Sequence, residues 1–133
     1  MIRHSSLPPG RRAGVLASNV DLAPTLLALC GLEPDESMQG RNLVREEPQS
    51  IYCAGGFGTA GEWRMVIRGL DKIVVDRSKN VTNLYNLGAD PLETENHAHD
   101  SAYDLKRDEL TALLNDWMRR TGDGMDPSGL KLR

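Results

Sequence analysis

Gly56-Phe57-Gly58-Thr59-Ala60-Gly61 is a formal match to the glycine fingerprint that cradles dinucleotide pyrophosphates. That chemistry needs the glycines to join a strand to a helix N-terminus, where free N–H groups meet phosphate. Here they are followed by Glu62-Trp-Arg-Met-Val-Ile-Arg68, whose alternation reads as a strand, and no βαβ unit follows. The run is expected to be a flexible loop between strands, with no cofactor bound. His97-Ala-His99 places two imidazoles at i, i+2, a weak metal pair if on a strand. Within the polar run 93–100, just before a helix, they read instead as solvated loop residues. Cys30 and Cys53 belong to no Cys-x-x-Cys pattern and have no histidines at zinc spacing. Cys30 falls on the apolar stripe of a helix and is expected to be a buried thiol. No Gly-x-Ser-x-Gly element is present, and no Ser, Cys or Thr stands recognisably beside a base. No pair of carboxylates sits in a setting that would separate an acid from a base. The sequence therefore assigns no catalytic, cofactor-binding or metal-binding residue. Asn80-Val81-Thr82 is a glycosylation sequon, consistent with residue 80 lying on an exposed turn.

The elements that would carry such residues follow from hydrophobic period. Leu22, Leu26, Leu29 and Cys30 recur at helical spacing, predicting a helix over 21–31. Pro24 fits its first turn, Asp21 its N-cap and Gly31 its end. Ala23, Leu27 and Ala28 make its other sides apolar too, so the helix is expected to need cover on most sides. Residues 33–49 read as a surface connection. Strands are predicted over 50–54, 62–68, 72–76 and 82–87, with Gly69-Leu70-Asp71 turning the second into the third. Residues 101–121 form the longest predicted helix. Leu110, Leu113, Leu114 and Trp117 share one of its faces, extended by Tyr103 and Lys106. Asp100 and Asp104 suit its positive end, and Arg119 and Arg120 its negative end. The order helix, strands, helix gives an α+β fold: a small antiparallel sheet of about four strands, the long C-terminal helix on one face, and an N-terminal apolar helix. The segments 1–49, 50–123 and a flexible tail 124–133 are the natural divisions.

A net charge of −3 over 133 residues gives no electrostatic reason to expect nucleic acid or an anionic membrane. The pairs Arg11-Arg12 and Arg119-Arg120 read as solvated surface. No apolar run approaches the roughly 20 residues that span a bilayer, and the first 15 residues hold no secretory signal. Aromatic residues make up only 5%, so the core must come mostly from Leu, Val, Ile and Ala.

Two stretches carry a family resemblance. Ser18-Asn-Val-Asp-Leu-Ala-Pro-Thr-Leu-Leu-Ala-Leu-Cys-Gly-Leu32, followed by Met38-Gln-Gly-Arg-Asn-Leu43, resembles a sulfatase segment. In that family a helix beginning near Asp-x-x-Pro-Thr is followed by a Gly-x-Ser-Leu-like run; Asn42 here replaces the serine. A looser form of the helix occurs across the alkaline-phosphatase superfamily. Asn83-Leu-Tyr-Asn-Leu-Gly-Ala-Asp-Pro-Leu-Glu-Thr-Glu-Asn96 resembles the more specific pattern Leu-Tyr-Asp-Leu, then Asp-Pro-x-Glu-x-x-Asn, that precedes the C-terminal helix of sulfatases. Residues 63–68 and 72–74 are similar to a strand pair of the family's C-terminal sheet, and the match runs from about Arg3 to Asp123.

The resemblance implies the carboxy-terminal segment of an arylsulfatase-like enzyme, a sulfuric ester hydrolase. On it, residues 1–49 are a remnant of the catalytic α/β domain and 50–123 the C-terminal subdomain. The family's formylglycine, made from a Cys/Ser-x-Pro-x-Arg motif, has no counterpart, because Cys30 is followed by Gly-Leu-Glu and Cys53 by Ala-Gly-Gly. The Asp-Asp and Asp-Asn or Asp-His pairs that hold its calcium-type metal do not occur either. The nucleophile and the divalent cation would belong to the parent enzyme. The partner implied is the parent's catalytic domain, with a sulfate-ester substrate only in the intact enzyme. Gly55 to Gly61, with Glu62, Trp63 and Arg64, are candidates to face its cleft, against a plainer reading of a packed Trp63 and a surface Arg64. The compartment stays open: the family suggests a periplasmic, secreted or lysosomal parent, without excluding cytoplasm. Self-association through the helix from Asp21 to Cys30 would follow if its cover is lost. Two other readings stand beside this one: part of a phosphonate or phosphodiester hydrolase, or a stand-alone interaction module.

Overall fold

The computed structural model describes residues 4, 5, 7, 10 and 16–125. Arg3, the pair Arg11-Arg12 and residues 126–133 of the expected tail lie outside the described residues. Two compact units divide the chain, Met1–Ile51 and Tyr52–Arg133.

In the first unit a 3₁₀ turn, Asn19–Asp21, leads into helix α1, Leu22–Leu29. Gly31, at φ 74°, ends the helix. Its N–H reaches the carbonyl of Ala28, and that of Leu32 reaches Leu27, the paired closure that a left-handed residue permits. Asp21 serves the start differently from a simple N-cap. Its carboxylate accepts the N–H of Ser18 behind it, at 2.8 Å, and makes no cap bond to α1 itself. The buried side of α1 holds Pro24 and Thr25, while Leu22, Leu26 and Cys30 are exposed. The expectation of a buried Cys30 is corrected. The leucine stripe predicted the helix but not its inward face, because Thr25 and Asp21 have polar partners on that side.

A four-stranded sheet runs in the order β1 (Ser50–Gly55), β2 (Trp63–Arg68), β3 (Asp71–Asp76) and β4 (Val81–Asn86), all of it in the second unit except Ser50 and Ile51 at the start of β1. β2 pairs antiparallel with β3, Arg68 opposite Asp71. The two-residue turn between them puts Gly69 at φ 59°, the first-position glycine of a type II′ hairpin. β3 pairs antiparallel with β4, with a bulge at Val74 and Val75. A second 3₁₀ turn, Ser101–Tyr103, enters helix α2, Asp104–Thr121. Asp100 caps that entry by accepting the N–H of Ala102 at 2.9 Å. The α+β architecture expected from the sequence is the observed one.

The core is one cluster between sheet and helix: Val66, Ile73, Val75, Val81 and Leu84 from the strands, and Leu110, Leu114 and Met118 from α2. Tyr52, Tyr103, Leu113 and Trp117 pack at its margin. Methionine contributes more than the composition suggested, since Met125 is buried there as well. No helix among the described residues is long and apolar enough to cross a membrane.

Candidate functional site

The residues singled out from the β1–β2 region fall around one buried cation. Arg64 is 1% exposed, so the plainer reading of a surface arginine is overturned. Such burial requires partners, because an unpaired guanidinium would be too costly to desolvate. Its Nε and one terminal nitrogen donate to the two carboxylate oxygens of Asp123, at 2.7 and 2.8 Å. The same terminal nitrogen donates to Glu62 at 2.7 Å, and the other to the carbonyl of Trp63 at 2.9 Å. Tyr52 donates its hydroxyl to Asp123 at 2.8 Å.

Each titration follows from that geometry. Burial works against the Asp123 carboxylate, but bonds from Arg64, the Met125 N–H and Tyr52 outweigh it and hold its pKa below the usual range. Burial likewise works against charge on Arg64, and the bonds to Asp123 and Glu62 win, raising its pKa. Burial and the Asp123 charge together push the Tyr52 phenol up. Arg64 is thus a neutralised cation. With two carboxylates upon it and no exposed surface, it cannot capture a sulfate or phosphate.

The glycine run is a loop between β1 and β2, as expected, and it closes as a hydrogen-bonded turn. Thr59 returns both its N–H and its hydroxyl to the carbonyl of Gly56, at 3.0 and 2.7 Å, and Gly61 donates to the Thr59 hydroxyl. Gly56 has φ 67°, and a Cβ there would stand 2.3 Å from the carbonyl oxygen of Gly61. The glycines therefore serve turn geometry, not phosphate. Phe57 lies with its ring 4.9 Å from the Arg64 guanidinium and is 66% exposed. Trp63 lays its indole against Gly55, where an added Cβ would come within 2.6 Å of the ring.

The two motif stretches turn out to be fastenings. In the first unit Asp21, 4% exposed, accepts the N–H of Arg41 at 2.9 Å. Thr25 accepts the N–H of Leu43 at 3.0 Å and donates to the Asp21 carbonyl at 2.6 Å. Gly40 permits this approach, since a Cβ would fall 1.9 Å from the carbonyl oxygen of Val20. Asp-x-x-Pro-Thr and Gly-Arg-Asn-Leu are two halves of one clamp. A cleft of about 490 Å³ beside it is lined by Pro24, Ala28, Leu32, Arg41 and Arg45, among others.

In the second motif Asp90 accepts the N–H of Glu95 at 2.8 Å, which holds its pKa low. Glu93, at φ 57°, binds Lys72 at 2.7 Å. The Asn96 amide donates to the Thr82 carbonyl and accepts from Leu84 and Ala98, and the His97 N–H donates to the Leu84 carbonyl. β4 is a sheet edge, and these bonds satisfy backbone groups that an open edge would expose. His97 is accordingly not a merely solvated loop residue. Its ring stacks on Tyr103 at 4.0 Å and faces Asp100 at 3.3 Å. Asn80 is exposed on the turn before β4, where the sequon placed it.

Among the described residues no three His, Cys, Asp or Glu side chains converge as metal ligands. The described residues thus offer no ligand set that fits a calcium-type ion. Sequence alone did not foresee the Arg64–Asp123 pair. The partners lie 59 positions apart, and the only signal was an arginine flanked in β2 by Trp63, Met65, Val66 and Ile67.

No family model and no curated protein matches the sequence. Solved structures do. BT1596, a 2-O GAG sulfatase, aligns with 85% of this chain at 27% identity and a TM-score of 0.72, using 26% of its own length. BT4656, solved with D-glucosamine-2-N,6-O-disulfate, aligns over 89% at 22% identity and a TM-score of 0.70, using 28% of its length. The phosphonate monoester hydrolase of Agrobacterium radiobacter aligns over 75% at 22% and 0.61, using 24%. The chain therefore spans about a quarter of the length of the enzymes it matches. With both sequence motifs spent on holding this fold, the chain is a sulfatase-like α+β domain with the architecture of a C-terminal segment of larger sulfatases.

Proposed function

We propose that this domain is the C-terminal part of a sulfuric ester hydrolase, where it braces the catalytic domain and walls the substrate cleft. The observation that carries the reading is the match of 85% of this chain to 26% of a 2-O GAG sulfatase. The parent's catalytic domain supplies the formylglycine nucleophile and the divalent, calcium-type metal, and this segment supplies neither. It covers part of that domain with the exposed apolar residues of α1, and presents the turn between β1 and β2 to the substrate. The segment alone is inactive. The direct test is release of 4-nitrophenol from 4-nitrophenyl sulfate: the 133-residue chain gives none, and turnover above a mock-purified control refutes the reading. A second reading, a phosphonate or phosphodiester hydrolase of the same superfamily, is favoured by the match to the Agrobacterium enzyme. Profiling an intact parent on sulfate, phosphonate and phosphodiester esters separates the two.

A further inference from the structure

We infer that Asp123 is a positioning residue for the β1–β2 turn, acting through Arg64. A continuous chain of contacts links the end of α2 to the turn. Gly122, at φ 63°, closes α2, with its own N–H on the Arg119 carbonyl and the Asp123 N–H on that of Met118. This closure fixes the Asp123 backbone. Its side chain is then held from two further sides, by the Tyr52 hydroxyl at 2.8 Å and the Met125 N–H at 2.9 Å.

A carboxylate so held is a rigid seat for a guanidinium, and Arg64 takes it with two parallel bonds that fix the plane of the group. That plane does two things for the turn. It binds Glu62 at the turn's end, at 2.7 Å, and it lies beneath the Phe57 ring at 4.9 Å. Arg77 adds an outer stay, reaching the Thr59 carbonyl at 3.4 Å. Tyr52 also stacks on Trp117, with centroids 6.0 Å apart and planes within 7°, so α2 holds the seat on two of its faces.

Phe57 is consequently presented as an exposed apolar contact of fixed position, with no available positive charge behind it. What that contact meets rests on the proposed function, where it would touch the uncharged body of an ester rather than its sulfate. The positioning itself does not rest on that reading, so it is tested on the 133-residue chain without any enzyme assay.

Two measurements decide it. In the unaltered chain the Arg64 Nε–H gives a separate nitrogen-correlated resonance that exchanges slowly with water, and the Thr59 and Gly61 amides are protected. Fast exchange at all three overturns the inference. Asp123→Asn is then compared with Ile73→Val, a core change outside the turn that lowers stability generally. Asp123→Asn makes chymotryptic cleavage after Phe57 the first cut and accelerates it at least about tenfold, while Ile73→Val leaves the order of cuts unchanged. Asp123→Glu, which keeps the carboxylate, returns part of the protection. Equal acceleration in both variants, with no preference for Phe57, means that Asp123 only stabilises the fold and overturns the proposal.

Discussion

Replacing Gly40 by alanine is the sharpest test of the clamp between the two halves of the first motif. The added Cβ would lie 1.9 Å from the carbonyl oxygen of Val20 and 2.9 Å from the Asp21 nitrogen, where ordinary contact begins at 3.4 Å. Both atoms are backbone, so no rotamer change relieves the clash, and one segment must retreat by roughly 1.5 Å. A shift of that size carries the Arg41 N–H out of range of the Asp21 carboxylate, now at 2.9 Å, and the Leu43 N–H away from Thr25, now at 3.0 Å. The first is a bond to a buried charge, worth about 1.5–3 kcal/mol, and the second a neutral bond worth about 1 kcal/mol. Their loss totals about 3 kcal/mol, or roughly a hundredfold in the local opening equilibrium. Both tryptophans lie in the other unit, so fluorescence is a poor probe. Amide hydrogen exchange at Arg41 and Leu43 reads the opening directly. Gly31→Ala is the internal comparison. That position, unlike Gly40, has a positive φ but nothing within 4 Å of a Cβ, so it loses only about 1–2 kcal/mol of left-handed preference. If Gly40→Ala leaves both amides within threefold of their original protection, the clamp is not what holds these motifs together.

Three further outcomes follow from other parts of the fold. Thr111 is 4% exposed, and its hydroxyl has no hydrogen-bond partner among the described residues. Thr111→Val should therefore be neutral or stabilising by up to about 1 kcal/mol in urea titration, and a loss larger than that would mean the hydroxyl is satisfied. Asp123 has a pKa below its ordinary 3.8 in the fold, so its contribution is complete above that value and fades as pH falls through the lowered one. Tyr52 has a pKa above its ordinary 10.0, so its contribution is complete below pH 10 and fades as pH rises towards the raised value. The melting temperature should drop at both extremes, and Tyr52→Phe should blunt the alkaline drop and, by removing a donor from Asp123, move the acid limb as well; an unchanged alkaline limb would sink this. Finally, Leu22 and Leu26 are 47% and 49% exposed on α1. If a catalytic domain is their natural cover, the isolated chain should bind a hydrophobic dye or self-associate, and a dye-silent monomer in sedimentation counts against that partner.

The sheet and the long helix were legible because their signals are local. Each predicted strand lies within a residue or so of the observed one, since alternation and the Gly69-Leu70 turn act over neighbouring positions. Leu110 and Leu114 are buried as their spacing indicated. What escaped reading is what long-range pairing decides. In β2, Trp63, Met65 and Ile67 form the more apolar face, yet Arg64 and Val66 are the buried residues. The inversion is possible only because Asp123 and Glu62 are at hand to neutralise Arg64. Similarly, Asp21 and Thr25 turn inward on α1 because backbone donors 20 and 18 residues on meet them. A hydrophobic stripe cannot report such partners, and Cys30 was misplaced for the same reason.

The motifs that carry the resemblance therefore say more about folding than about chemistry. A catalytic motif holds its polar groups ready for a substrate, which leaves them incompletely bonded within the protein. Here Asp21, Asp90, Glu93 and Asn96 each have protein partners at hydrogen-bond distance, and Asn96 closes a sheet edge that would otherwise invite pairing. Fastenings of this kind act within one unit and need no cofactor. The exposed Phe57 is the exception. Its ring is held over a cation that its own partners have already neutralised, an arrangement that adds little to the core and much to the definition of a surface.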